Sequence, residues 1–156
     1  MTVESSAMTF RAMQWWDIDA VVAIEQNLFE HDPWTAEMFW SELAQVPESR
    51  NVWVAVSANE IVGYGSLRFV GNEGDINTIA VSSMNQRQGI GQQLYDVMES
   101  AAREHNVRNL FLEVRSDNQS AHAMYVKAGF EQIEVRRGYY GSAVDALVMR
   151  KRLSND

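Results

Sequence analysis

Three consecutive segments with the two-residue periodicity of β-strands occupy the middle of the chain. They cover about residues 52–57, 61–70 and 75–81, and the turns between them contain Asn59 and Gly71. Turn residues at such places are typical of hairpins. The segments therefore predict an antiparallel meander, which needs helices against it to bury its apolar side chains.

Helical periodicity on both sides of the meander supplies those helices. Asp17 is the expected N-cap of the first helix, Pro33 ends it, and Thr35 is the expected N-cap of the second. A third and stronger helix follows the meander. The apolar stripes are Ile18, Val21, Ile24 and Leu28 in the first helix, Phe39, Leu43 and Val46 in the second, and Ile90, Leu94, Val97, Met98 and Ala101 in the third.

The remaining segments complete a mixed sheet. A short strand around residues 10–13 comes first, and a strand over 110–114 and a helix over 118–128 follow the third helix. Two further strands end near Arg150. A meander joined to a β-α-β unit predicts an α+β fold. Its sheet would be mixed, mostly antiparallel and of about seven strands, with about four helices against it.

Length and hydropathy predict one domain without a membrane span. The 156 residues favour a single domain over 1–156, with an ordered core of about 9–152. No apolar run reaches the roughly 18 residues of a transmembrane helix. The N-terminal residues lack the basic start and apolar region of a secretory signal, so a cytoplasmic protein is expected.

Charge and residue counts narrow the possible ligands. The chain has 13 Lys and Arg and 21 Asp and Glu, which gives a net charge of -8. This charge disfavours nucleic acid as a direct partner and suits a cationic partner. The absence of Cys excludes disulfides, thiolate metal sites and a Cys nucleophile. The three His lack the spacing of paired metal ligands, so no metal is expected.

The loop after the meander contains two glycines and leads into the strongest helix. Its sequence is Gln86-Arg87-Gln88-Gly89-Ile90-Gly91. A glycine-rich turn at a helix N-terminus presents backbone N–H groups and the positive end of the helix dipole, which together can hold a pyrophosphate. The same glycines are typical of a tight strand-to-helix turn without a ligand. The segment alone leaves both interpretations open.

Further motifs lie in order over about residues 9–150. They are Thr78-Ile79-Ala80-Val81, Leu112-Glu113-Val114-Arg115, Asn118, Ala123-Met124-Tyr125, Gly129-Phe130, Arg136-Arg137-Gly138-Tyr139-Tyr140 and Asp145-Ala146. Together with the Gln-x-x-Gly-x-Gly loop, they resemble the GNAT acetyltransferase superfamily and its RimI branch, the ribosomal-protein alanine N-acetyltransferases.

The resemblance implies the fold, the cosubstrate and its site. The GNAT fold splays between its fourth and fifth strands, where acetyl-CoA inserts. The loop residues would cradle the pyrophosphate, Asn118 would contact the cosubstrate near pantetheine, and the end of the fourth strand would bind it through the backbone. The backbone positions are Ile79, Ala80 and Val81, and the loop positions are Arg87, Gln88, Gly89, Ile90, Gly91 and Gln92.

The same resemblance makes Glu113 the general base and Tyr125 the general acid. From the residues alone, Glu113 alternates with apolar neighbours and is equally typical of a solvated sheet face. Tyr125 shares helical spacing with Ala121 and Ala128, which is typical of a core tyrosine. The resemblance favours the catalytic roles.

Three aromatic residues are expected at the acceptor side. The segment before the second helix, which contains Trp34, resembles the loop that receives the substrate peptide, although Trp34 can equally anchor that loop. Tyr139 and Tyr140 resemble peptide-channel residues, and only one of two consecutive strand residues can face a site. Four carboxylates near the proposed entrance are candidates for attracting a basic tail or simply solvated: Glu25, Glu30, Asp32 and Glu37.

The function that these features predict is N-terminal acetylation without a metal. The resemblance implies the N-terminal alanine of the eighteenth small-subunit ribosomal protein as acceptor and acetyl-CoA as donor. A GNAT enzyme of other protein N-termini or of small amines is the alternative within the enzyme class. A non-catalytic acyl-CoA-binding module is the alternative outside it.

Overall fold

The computed structural model describes residues 8–30, 32–139 and 144–153, which form seven strands and four α-helices. Short 3-10 helices at Trp15–Asp17 and Ser83–Asn85 precede α1 and α3. In chain order the elements are β1 (Thr9–Ala12), α1 (Ile18–Leu28), α2 (Ala36–Leu43), β2 (Arg50–Ser57), β3 (Glu60–Val70), β4 (Glu73–Val81), α3 (Ile90–Glu104), β5 (Asn109–Arg115), α4 (Gln119–Lys127), β6 (Glu131–Arg136) and β7 (Ala146–Arg152).

The strands form one mixed sheet in the order β1-β2-β3-β4-β5-β7-β6. Strands β4 and β5 pair in parallel, and their register runs from Glu73↔Asn109 to Ile76↔Leu112, over the first parts of both strands. The pairs β1–β2, β5–β7 and β6–β7 are antiparallel. The predicted α+β class with a mostly antiparallel sheet is confirmed.

The described residues divide into two compact units, 8–67 with 78–101 and 68–77 with 102–153. In the first unit, helices cover both faces of the strands. Val54 and Tyr64 share one apolar cluster with residues of α1 and α2, whereas Ala55 and Val62 share another with Ile90 of α3. The alternation of strand side chains produces these two clusters, because neighbouring residues of a strand point to opposite faces.

Gly63 in β3 allows a close approach of the β4 backbone. A Cβ atom at this position would lie 2.9 Å from the carbonyl oxygen of Ala80, closer than real Cβ contacts come. Ala80 belongs to the segment expected to bind the cosubstrate through its backbone. The glycine therefore has a packing reason that its strand position alone does not reveal.

The two predicted N-caps behave differently. Thr35 caps α2 as expected, because its side chain accepts a hydrogen bond from the Met38 N–H at 3.3 Å. Asp17 stands at the predicted N-cap position of α1, but its side chain makes no capping hydrogen bond. Its carboxylate instead accepts hydrogen bonds from the Arg11 guanidinium at 2.7 and 3.0 Å and from the Gln14 N–H at 2.8 Å. The Arg11 hydrogen bonds lower the pKa of Asp17.

Helix α2 is shorter than its apolar stripe suggested. It ends at Leu43, and Val46, which was predicted on its apolar face, lies in the following turn residues and is 37% exposed. Backbone hydrogen bonds from Val46 to Leu43 and from Ser49 to Gln45 continue as isolated turns. Pro47 follows at once, and a proline cannot donate the N–H that a continued helix needs.

A surface cluster of three tryptophans lies beside these helices. The rings of Trp15 and Trp16 meet edge to face at 5.5 Å between centroids, and those of Trp15 and Trp40 stack at 6.2 Å. Each of the three side chains is at least half exposed. The contacts therefore join indole rings at the surface rather than in the core.

The second unit is built around β5. In this strand Leu110, Leu112 and Val114 are buried, the residues that alternate with them are at least partly exposed, and Glu113 is the most exposed of these. Asp145, just before β7, accepts a hydrogen bond from the Gly138 N–H through its carboxylate and one from the Ser116 N–H through its carbonyl, both at 2.9 Å. Asp145 thus fixes the end of β5 to the turn after β6.

Candidate active site

The loop between β4 and α3 is fixed at its β4 end by hydrogen bonds. The Ser82 N–H donates to the Val62 carbonyl at 2.8 Å, and the Gln86 side-chain amide donates to the Val81 carbonyl at 3.0 Å. Arg87 and Gly89 then adopt positive φ angles of 65° and 81°. The loop therefore turns sharply before the helix, as the interpretation of a tight turn predicted.

The start of α3 also fits the phosphate-binding interpretation. The first intrahelical bond in this region runs from the Gln93 N–H to the Gly89 carbonyl at 3.1 Å. The N–H groups of the preceding turn therefore have no helical carbonyl to which they can donate, and they lie at the positive end of the dipole. A Cβ atom at Gly89 would meet only the end of the Gln93 side chain, at 3.9 Å, so there is open space over this backbone. The donors and the space suit a pyrophosphate.

Trp34 lies in a loop that a buried carboxylate holds. Glu25 of α1 is only 3% exposed and accepts hydrogen bonds from the Trp34 N–H at 2.9 Å and from the Tyr64 hydroxyl at 2.5 Å. The Trp34 ring packs at 5.2 Å from that of Phe39, which in turn meets the Tyr64 ring at 5.7 Å. These contacts fix the loop before α2, which favours the anchoring role of Trp34.

These contacts correct one expectation. Glu25 was a candidate for attracting a basic tail at the surface, and its burial makes that role wrong. Glu30, Asp32 and Glu37 are exposed, so the expectation remains for them. Burial and the Glu25 carboxylate both raise the pKa of Tyr64, so its hydroxyl stays a hydrogen-bond donor.

Replacing Tyr64 by phenylalanine is expected to lower the free energy of unfolding by about 1 to 3 kcal/mol, because the buried Glu25 carboxylate loses a donor. Urea denaturation followed by circular dichroism measures the change. Tyr95→Phe is the matched control. Its hydroxyl donates to Glu99 at 2.6 Å, but that carboxylate is half-buried and can turn to water. Equal losses in the two variants would contradict a special role for the Glu25 contact.

Glu113 presents its carboxylate at the surface of the second unit. Its side chain is 31% exposed, and Oε1 lies 2.8 Å from an Nη atom of Arg136. The exposed position agrees with a solvated sheet face and also with a base that an acceptor can reach. Arg136 was not among the predicted site residues, and its contact is the main addition that the structure makes to the site.

Tyr125 of α4 is buried, and its ring packs edge to face against Phe130 at 5.7 Å between centroids. Burial raises the pKa of the phenol, so the hydroxyl remains protonated at all physiological pH values. At the start of the same helix, Asn118 accepts a hydrogen bond from the Ala121 N–H at 3.2 Å through Oδ1. Asn118 is therefore the N-cap of α4, and the NH2 group of its side chain takes no part in the cap.

Tyr139 is 54% exposed, and the Arg136 guanidinium carbon lies 5.7 Å from its ring centroid. This distance is typical of a cation–π contact. Tyr140 and His31 lie outside the described residues. The structure thus brings Glu113, Arg136 and Tyr139 into one set of contacts in the second unit.

The buried contacts of Glu25 and the contact of Arg136 with Glu113 are not among the predictions made from the sequence. The sequence contains a signal for the first of these. Glu25 follows Ile18 and Val21 at the spacing of a single helix face, so its burial follows from the apolar stripe. No comparable local pattern marks the contact of Arg136 with Glu113.

Among residues 8–30, 32–139 and 144–153, no group of three His, Cys, Asp or Glu is placed to hold a metal ion, and no helix has the length and apolarity to cross a membrane.

Comparisons with known proteins agree with this architecture. The acetyltransferase (GNAT) family model matches residues 13–130. The N-alpha-acetyltransferase RimI of Mycobacterium tuberculosis is 35% identical over 157 residues, 97% of this chain and 96% of that protein. An uncharacterized protein of Mycobacterium leprae is 36% identical over 146 residues, and the match spans 86% of this chain but only 38% of that longer protein. The crystal structure of the ribosomal-protein-S18-alanine N-acetyltransferase from Escherichia coli is similar with a TM-score of 0.87 and 27% identity, over 96% of each chain.

The chain belongs to the GNAT acetyltransferase family. It is an acetyl-CoA-dependent enzyme, and the resemblance to the RimI branch is confirmed by relatives that match nearly its whole length.

Proposed function

We propose that this enzyme transfers the acetyl group of acetyl-CoA to the N-terminal α-amine of a protein, with the N-terminal alanine of ribosomal protein S18 as the acceptor. The names of the relatives from Mycobacterium tuberculosis and Escherichia coli support this acceptor class. The observation that carries the proposal is the accessible carboxylate of Glu113 in β5, the residue that the RimI resemblance implies as the base. We expect the reaction to take place in the cytoplasm, without a metal and without nucleic acid or membrane as a direct partner.

The proposed chemistry needs one base and one acid. An α-amine with a pKa near 8 is largely protonated at neutral pH, so Glu113 takes a proton from it, directly or through a water. The amine nitrogen then forms a bond with the thioester carbonyl carbon, and the Val81 N–H stabilises the oxygen that becomes negative. The carbon–sulfur bond breaks, and the Tyr125 hydroxyl gives its proton to the departing thiolate. The nitrogen loses its second proton, which returns through solvent to the Tyr125 phenolate, and Glu113 releases the proton it took to water.

The donor side of the proposal uses backbone groups. Ile79, Ala80 and Val81 would bind the pantetheine arm, and Asn118 would contact it through its amide. The N–H groups of Arg87 to Gln92 would hold the pyrophosphate, and the open space at Gly89 together with the free end of the α3 dipole supports this role.

A Gly89→Ala substitution is expected to raise KM for acetyl-CoA about tenfold, because the added methyl group occupies the space over the backbone and strains a positive φ. Steady-state kinetics with varied acetyl-CoA measure the effect. Gly71→Ala is the matched control, since Gly71 also has a positive φ of 60° and open space, but lies in the β3–β4 turn. An equal rise of KM in both variants would show that backbone strain, and not the phosphate site, causes it.

The acceptor side has three aromatic candidates, Trp34, Tyr139 and Tyr140. We propose that Trp34 and one of the two consecutive tyrosines line the path of the acceptor peptide. The half exposure of Tyr139 beside Arg136 and the fixed loop of Trp34 support this assignment. The exposed Glu30, Asp32 and Glu37 favour an acceptor with a basic tail.

The function is tested with acetyl-CoA and a peptide that carries the N-terminal sequence of ribosomal protein S18. We expect thiol release and an acetyl group on the α-amine, located by fragmentation mass spectrometry. The matched control is the same peptide with a blocked α-amine, which leaves only side-chain amines. Peptides with other first residues, polyamines and free amino acids form the comparison panel.

Each outcome of this assay assigns a function. Faster turnover with another peptide or with a small amine would replace the proposed acceptor. Binding of CoA without thiol release on any amine would overturn the proposed transfer and favour a non-catalytic acyl-CoA-binding module.

A further inference from the structure

One guanidinium in the second unit lies between two carboxylates. Arg136 contacts Glu113 at 2.8 Å through an Nη atom and Glu134 at 3.2 Å through Nε. Hydrogen bonding to Glu134 and the charge of Glu113 both raise the pKa of Arg136. All three side chains are partly exposed, Glu134 more than Glu113. Arg136 is therefore a shared cation that two anions hold.

The strand register explains why these side chains meet. Glu113 of β5 and Glu134 of β6 both stand opposite Val148 of β7, so the two carboxylates lie in one row across three strands. Residues in such a row share a face of the sheet, as do residues two apart on one strand. Arg136 is two residues beyond Glu134 and therefore lies on the same face, from which it reaches both carboxylates.

A second arginine lies close in this pattern and pairs with another carboxylate. Arg115 and Arg136 both stand opposite Ala146. The Arg115 guanidinium instead makes two hydrogen bonds of 3.0 Å to Asp117. Asp117 thus holds the Arg115 guanidinium, whereas Glu113 pairs with Arg136.

This contact matters because Glu113 is the proposed base. An acceptor amine arrives as an ammonium ion and must meet the carboxylate oxygen that takes its proton. In the structure a guanidinium is at that carboxylate. A guanidinium keeps its proton at any physiological pH, so it pairs with Glu113 without transferring a proton to it. The two cations therefore compete for one carboxylate.

We propose that Arg136 is a positioning residue that holds Glu113 while no acceptor is present and yields it to the acceptor ammonium by moving fully to Glu134. This inference rests on the proposed function, because it assumes that Glu113 receives the amine. Exposed ion pairs are weak and exchange readily, which suits a contact that each catalytic cycle must break. Glu134 lowers the cost of the exchange because it already holds the Nε side of the guanidinium.

The proposal predicts opposite effects on KM for the acceptor peptide. Arg136→Gln removes the competing cation and is expected to lower KM about two- to fivefold, with kcat nearly unchanged. Glu134→Gln removes the second anion, leaves Arg136 on Glu113, and is expected to raise KM by a similar factor. The double variant is expected to behave like Arg136→Gln, because without Arg136 the Glu134 carboxylate has no cation to receive from Glu113.

Two controls separate this role from charge and folding. Arg137→Gln changes the net charge by the same amount at the next residue and is expected to leave KM unchanged. Arg136→Lys keeps a cation beside Glu113 and is expected to keep KM near the wild-type value. Thermal melts of all variants establish that each is folded under the assay conditions.

Each result supports or overturns the proposal. An unchanged KM in Arg136→Gln, or a loss of kcat without a fall in KM, would overturn the proposal. An equal fall of KM in Arg136→Gln and Arg137→Gln would also overturn it. Glu113→Gln identifies which statement failed. If that variant keeps full kcat, the proposed base is wrong; if it is inactive while Arg136→Gln leaves KM unchanged, only the positioning role is wrong.

Discussion

Glu113→Gln is expected to lower kcat with the acceptor peptide by about 100-fold or more, which is the usual contribution of a general base. Glutamine preserves the size of the side chain but cannot take the proton of the ammonium ion. The side chain is partly exposed, so the variant should fold normally. Rates of thiol release under saturating acetyl-CoA measure the effect.

The control for this variant is Glu131→Gln on β6. Glu131 is also an exposed carboxylate in an ion pair, with Arg150 at 2.9 Å, so the same chemical change is made outside the proposed site. We expect full activity from it. Equal rates for wild type and Glu113→Gln would identify Glu113 as a residue of the solvated sheet face, the interpretation that its alternation pattern left open.

Tyr125→Phe is expected to have the second large effect, a fall of kcat by about 100-fold with a small change in stability. Phenylalanine keeps the ring that packs against Phe130 and removes only the proposed proton donor. If Tyr125 is solely a core residue, kcat will stay near the wild-type value. A pre-steady-state measurement of thiol release keeps slow product release from hiding the loss.

The pH dependence gives this prediction a second readout. Burial raises the pKa of Tyr125, so the phenol is the protonated, active form throughout the range below its ordinary pKa of about 10. The ratio of wild-type to Tyr125→Phe rates is therefore expected to be constant between about pH 6 and pH 9. A ratio that falls toward alkaline pH in this range would indicate that the phenol ionises there and would contradict the effect of burial.

The sequence predicted the elements well where a local pattern decides them. The alternation of Val52 and Val54 and the cap at Thr35 depend on residues a few positions apart, and both are confirmed. Asp17 occupies the predicted N-cap position but makes no capping hydrogen bond, because a carboxylate before a helix serves equally as a cap or as a partner for a distant cation. Arg11 takes that carboxylate because β1 and the following turn bring the two side chains together.

For the candidate site the sequence offers residue types but not their contacts. The proposed roles of Glu113 and Tyr125 come from family resemblance, since periodicity alone allows a solvated carboxylate and a core tyrosine. The contact between Glu113 and Arg136 depends on β7 lying between β5 and β6, which is a property of strand order and register. Nothing in a linear pattern gives that order.

The surface cluster of Trp15, Trp16 and Trp40 affects how this protein can be followed in solution. All five tryptophans of the chain lie among the described residues, and these three are the exposed ones. Their indole rings are already at least half exposed to water in the folded protein. The fluorescence of these three rings will therefore change less on unfolding than that of buried tryptophans. With these three replaced by phenylalanine, the remaining emission would come from Trp34 and Trp53, and quenching would report on the loop before α2.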